Sequence, residues 1–140
     1  MARIHDSGGA EQTEALGAEL ATSLAPGDVV LVEGEIGAGK TTFVRGACRE
    51  LGVSAIVSSP TFTIGQRYPA PVTVAHVDLF RLADLDAEDP ELLDDYLGSD
   101  MITFIEWPAG IEGRLAALGT RLLRVRLEHA GGERREVAVG

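Results

Sequence analysis

The sequence predicts an α/β fold: a three-layer sandwich around a mixed sheet, parallel at its centre, with an antiparallel C-terminal hairpin. Three observations predict it. Two short apolar runs, Val29-Val30-Leu31-Val32 and Met101-Ile102-Thr103-Phe104-Ile105, read as strands buried on both faces. A glycine-rich loop stands between the first of these runs and a helical stretch. Near the end, Leu123, Val125 and Leu127 alternate with Arg124, Arg126 and Glu128, and Gly131-Gly132 then turns the chain into a last strand, 136–139.

The elements follow in order. Residues 1–8 lack the apolar stretch of a secretory leader. From Thr13 to Leu24, leucines at 16, 20 and 24 recur at i, i+4 and i+8, which predicts an amphipathic helix. Pro26-Gly27-Asp28 is a turn into the first apolar run. Thr41 to Leu51 reads as a helix that stops near Gly52. A hydroxyl-rich loop follows at Ser58-Ser59-Pro60-Thr61-Phe62-Thr63. Ile64–Tyr68 and Val72–Val77 read as strands around Pro69-Ala70-Pro71. Asp84 to Asp95 is an acidic, solvated helix face, with Leu92, Leu93, Tyr96 and Leu97 at helical spacing. Ile111–Leu118 reads as a short helix. With no repeat, linker or low-complexity tract, residues 1–140 are expected to form one domain.

Composition narrows the function. The net charge of −10 argues against a direct grip on DNA or RNA, whose binders neutralise phosphates with a basic face. It also means that a site for a polyanionic nucleotide must be strongly organised locally. No apolar run approaches a membrane span of about 18 residues, so a cytoplasmic protein that does not touch membranes is expected. Cys48 is the only cysteine; it reads as a small buried apolar residue.

Gly34-Glu35-Ile36-Gly37-Ala38-Gly39-Lys40-Thr41 matches the phosphate-binding pattern G-x-x-x-x-G-K-[ST], the P-loop. Lys40 is the chain's only lysine; every other strong cation is an arginine. Glycines let backbone N–H groups turn inward without Cβ clashes, and the helix that follows aims its positive end at the same place. Gly37, Ala38, Gly39, Lys40, Thr41 and Thr42 are therefore the candidate nucleotide-binding residues, with Lys40 reaching the terminal phosphates and the Thr41 hydroxyl placed for Mg²⁺. The strand, loop and helix order makes the sandwich P-loop NTPase-like.

A metal there needs an acidic anchor at the end of a neighbouring strand. Asp78 ends one predicted strand and Glu106 another. Spacing leaves open which holds metal and which orients water. His76 reads as structural rather than catalytic. Trp107 directly follows Glu106 and is the only tryptophan. The Ser58–Thr63 hydroxyls could sense a γ-phosphate as switch segments do. The chain has no asparagine, so the guanine-reading N-K-x-D motif is absent and ATP is favoured.

Four blocks together carry a family resemblance. They are Gly34 to Phe43, Ser59-Pro60-Thr61-Phe62-Thr63, His76-Val77-Asp78-Leu79-Phe80-Arg81-Leu82 and Ile105-Glu106-Trp107-Pro108. In order and spacing they resemble the TsaE (YjeE-type) ATPase family over roughly residues 10 to 110. Phe80 stands where that family often has tyrosine, and Val77 where it often has an aromatic. The resemblance implies an Mg²⁺-dependent ATPase, slow alone and stimulated by partners. Its role would be in making N6-threonylcarbamoyladenosine beside the anticodon of ANN-decoding tRNAs. The implied partners are TsaB and TsaD, the second being the transferase, with tRNA engaged only indirectly. It also implies that Lys40 and Thr42 bind phosphate and that Thr41 and Glu106 hold Mg²⁺. Asp78 and Trp107 match positions important for activity. Adenine contacts would come from the first helix's start, near Ala10, and from the C-terminal hairpin. Two other readings of the same residues are a small-molecule P-loop kinase and a nucleotide-gated binding module without useful hydrolysis.

Overall fold

Val29–Gly34 (β2) takes the centre of a sheet because its first four side chains are apolar and can be buried on both faces; none of the four is more than 3% exposed. The computed structural model describes residues 3–35, 37–58, 65–79, 95–107, 115 and 121–140. Beside β2 lie Met101–Glu106 (β5) and Leu122–His129 (β6), both parallel to it. Thr73–Asp78 (β4) runs parallel to β5 on the far side. Gly65–Tyr68 (β3) closes that edge antiparallel to β4. At the other edge Arg135–Val139 (β7) returns antiparallel to β6, the hairpin read from the alternating segment. A strand that the sequence did not announce, Arg3–Ser7 (β1), pairs antiparallel with β7. Among the described residues the sheet order is β1-β7-β6-β2-β5-β4-β3.

Two described helices cover one face. Ala10–Ala21 (α1) begins three residues earlier than the leucine spacing predicts and stops at Ala21 instead of Leu24. Gly9 offers no side-chain cap at its start, so the usual sequence signal for an N-terminus is missing. Lys40–Glu50 (α2) follows the P-loop directly. The two helices approach closely through glycines. A Cβ on Gly46 would lie 2.0 Å from the Glu14 carbonyl oxygen, and one on Gly17 would lie 2.1 Å from that of Phe43.

The two faces of the sheet hold separate cores. Val30, Val32, Val74, Ile102, Phe104 and Val125 pack with Phe43, Val44 and Ala47 under the helices. Phe43 alone, fully buried, stabilises the fold by roughly 1.5–3 kcal/mol. Val29, Leu31, Val77 and Ile105 point the other way and meet Leu115, with Tyr96, Leu97 and Trp107 packed against them. The sheet is thus the middle of three layers. Cys48 is free and buried, as its apolar reading requires. The predicted helix 111–118, apart from Leu115, and the acidic stretch 84–94 lie outside the described residues. So do Ser59 to Thr63 of the hydroxyl-rich segment, and Ile64 at the start of the next predicted strand.

Candidate nucleotide and metal site

Parallel strands point their carboxyl ends to one edge, and that is where ligands bind in open α/β sheets. β2 delivers Gly34 there, β5 delivers Glu106 and β4 delivers Asp78. The register places Asp78 directly opposite Glu106. Strand pairing, which spacing could not supply, therefore brings the two candidate carboxylates to the mouth of the P-loop.

The loop's conformation explains its glycines. Gly37 and Gly39 have φ of 78° and 97°, in the left-handed region that side chains avoid. Gly39 is the N-terminal cap of α2 and supplies no side-chain hydrogen bond. The first-turn N–H groups of α2 thus point outward at the helix's positive end, the arrangement that favours an anion. Gly34 has a second reason: a Cβ there would lie 2.4 Å from the Leu127 carbonyl oxygen on β6.

Lys40 is almost fully buried, 6% exposed. Its Nζ donates to the Gly34 carbonyl at 2.8 Å and to the Glu35 carbonyl at 2.7 Å. It also sits 4.0 Å from the centroid of the Trp107 ring. Burial pushes its pKa down, and the Glu106 and Asp78 carboxylates pull it back up. Trp107 reaches this place with a φ of 58°, rare for a non-glycine residue and costly by about 1–3 kcal/mol. Its backbone N–H donates to the Val32 carbonyl at 3.3 Å.

The Thr41 hydroxyl lies 3.2 Å and 3.1 Å from the two Glu106 carboxylate oxygens. Glu106 is buried, 2% exposed. One hydroxyl and one carboxylate side by side suit a hard cation that keeps waters and phosphate oxygens in its shell, as Mg²⁺ does. Among the described residues no group of three His, Cys, Asp or Glu side chains could chelate a metal unaided. A cation here would depend on the nucleotide to complete its coordination, so the donor set fits Mg²⁺–nucleotide and not a structural metal.

His76, read from the sequence as structural, also reaches the site. It is fully buried, as a structural residue would be, yet its Nε2 lies 2.5 Å from Glu106 Oε2. The available signal was its place two residues before Asp78, on the same face of the strand.

The hairpin and the start of α1 also reach the loop. Arg135 donates from Nη2 to the Gly37 carbonyl at 3.1 Å. The Thr13 methyl lies 3.6 Å from where a Gly39 Cβ would be, and Glu133 Oε2 lies 3.8 Å from the same point on Gly9. Ser7 and Thr13, both buried, share a hydroxyl–hydroxyl hydrogen bond of 2.7 Å that ties β1 to α1. Among the described residues no helix is long and apolar enough to cross a membrane.

Residues 7–137 match the family model described as threonylcarbamoyl adenosine biosynthesis protein TsaE. A Bacillus subtilis protein named tRNA threonylcarbamoyladenosine biosynthesis protein TsaE is 38% identical over 128 residues, covering 91% of this chain and 78% of that one. A Streptomyces coelicolor protein of the same name is 40% identical over 121 residues, covering 84% and 80%. Among solved structures, the crystal structure of Bacillus subtilis YdiB superposes with a TM-score of 0.76 at 28% identity, over 99% of this chain and 84% of that one.

Proposed function

The chain belongs to the TsaE family, and from that premise we propose that it binds and hydrolyses ATP in support of N6-threonylcarbamoyladenosine formation on tRNA. The observation that carries this reading is the contact between Thr41 and Glu106 beside the buried ammonium of Lys40. A P-loop with a lysine, a hydroxyl and a strand-end carboxylate in one place has the parts that phosphoryl chemistry uses.

Residues 1–140 act as one P-loop ATPase domain in this account. Backbone N–H groups at Gly37, Ala38 and Gly39 and the first turn of α2 cradle the phosphates. Lys40 neutralises the terminal phosphate, and Thr42 takes an inner one. Thr41 and Glu106 hold Mg²⁺, which when bound supplies positive charge to the phosphate oxygens. Asp78, opposite Glu106 in the register, orients the attacking water. Trp107 steadies the Lys40 head with its ring face.

The tRNA target is the adenosine beside the anticodon in ANN-decoding tRNAs, and the work is done in the cytoplasm. A charge of −10 suits a factor that acts through proteins more than one that grips RNA. We therefore place it on the TsaB–TsaD complex, slow alone and stimulated there, with hydrolysis supporting that complex's turnover. Reconstitution with purified TsaB, TsaD, threonylcarbamoyl donor and tRNA is the test. Modified adenosine per transferase should rise well above one only when this protein and ATP are both present. A yield unchanged by either addition would sink the proposal.

A further inference from the structure

We propose that His76 is the positioning residue that holds the Glu106 carboxylate in the orientation needed for Mg²⁺–nucleotide, an inference that rests on the nucleotide reading above. The imidazole is fully buried, and its Nε2 lies 2.5 Å from Glu106 Oε2. Among the described residues its other nitrogen, Nδ1, is buried without a hydrogen-bond partner. The contact with Glu106 does more than fill space, because a hydrogen bond to a charged group contributes about 1.5–3 kcal/mol.

Glu106 meets two groups that fix it from different sides. Thr41 reaches both carboxylate oxygens from α2, and His76 reaches Oε2 from β4. With Nε2 carrying the hydrogen, His76 donates to Oε2 and Nδ1 keeps an unmet lone pair. That assignment leaves no buried donor stranded. His76 and Asp78 stand on one face of β4, two residues apart, and Glu106 is Asp78's neighbour in the register. One strand thus supplies both the group that orients Glu106 and the second carboxylate of the site. Groups that orient a metal-binding side chain typically change metal affinity or activity by 10–100-fold when removed.

The test compares His76→Gln with His76→Asn. The glutamine amide nitrogen can occupy the place of Nε2; the shorter asparagine cannot reach Glu106. ATP affinity is measured by calorimetry in EDTA and across a Mg²⁺ titration, and thermal melting is recorded for both. His76→Asn should raise the Mg²⁺ needed for half-maximal enhancement of ATP binding about tenfold, while affinity in EDTA stays within about twofold. His76→Gln should stay within about threefold of the parent on both measures. Equal behaviour of the two variants overturns the proposal, as does a parallel loss of affinity in EDTA. Nitrogen NMR of the parent protein's histidines needs no asparagine variant. The His76 Nε2 signal, assigned by its loss in His76→Gln, should shift when Mg²⁺ is added to the ATP-loaded protein, and an unmoved signal would equally overturn it. A parent protein whose ATP binding ignores Mg²⁺ altogether would refute the nucleotide reading itself.

Discussion

Replacing Lys40 with alanine removes the one cation built into the phosphate loop. At about 4 Å and an effective dielectric near 20, a unit charge pair is worth about 4 kcal/mol. The full amount does not appear in affinity, because the ammonium is already engaged. It holds the Gly34 and Glu35 carbonyls at 2.8 Å and 2.7 Å and faces the Trp107 ring. An ammonium has three donors and two are held by these carbonyls, so the third turns towards a phosphate at the expense of the Trp107 ring contact. A desolvated cation–π contact contributes about 2 kcal/mol, and giving it up leaves a net gain of about 2 kcal/mol. At about 1.4 kcal/mol per tenfold, Lys40→Ala should weaken ATP binding about 30-fold. Titration calorimetry with parent and variant, both shown to melt cooperatively, measures this directly. A dissociation constant within about threefold of the parent would refute the charge argument.

Three other expectations follow from single features of the molecule. Trp107 is the sole tryptophan and lies against Lys40, so ATP should change its fluorescence in the parent and leave Lys40→Ala unchanged; identical responses would contradict the contact. Gly46→Ala drives a methyl into the Glu14 carbonyl, and overpacking of about 1–3 kcal/mol exceeds the roughly 1 kcal/mol that alanine returns in helix propensity. A lower midpoint in urea should report it, and an unchanged or higher midpoint would show that the helices part freely. Burial pushes the Cys48 thiol from 9.0 up to about 12, so the unfolded chain loses that proton first as pH rises. Stability should therefore fall from pH 9 towards 12, by about 1.4 kcal/mol at pH 10, and Cys48→Ala should flatten that limb relative to the parent.

The parts of the fold that could be read in advance are those whose burial writes itself into composition. β2 and β5 are apolar on both faces, and β6 alternates because one face is wet. β1 was illegible for the opposite reason. Its one large apolar residue, Ile4, is 66% exposed, and the strand is held by its backbone ladder to β7. The start of α1 carries no capping side chain, so nothing in the letters marks it. In the site, the glycines, Lys40 and Thr41 share one contiguous motif. Their meeting with Glu106 and Asp78 depends on which strands pair, a long-range fact that spacing does not encode. His76 sits in a strand buried on both sides, where one polar residue reads the same whether it packs or positions.

The pairing of residues 3–7 with residues 135–139 has a consequence in time. A ribosome releases the first strand long before the strand it must pair with exists. Until then β1 has no ladder, and the Ser7–Thr13 link that ties it to α1 has no fixed anchor in the sheet. The helix start and hairpin that flank the phosphate loop are brought together only when residues 135–139 emerge. A nascent chain should therefore gain its nucleotide affinity abruptly once residues 135–139 have emerged, not in proportion to its length.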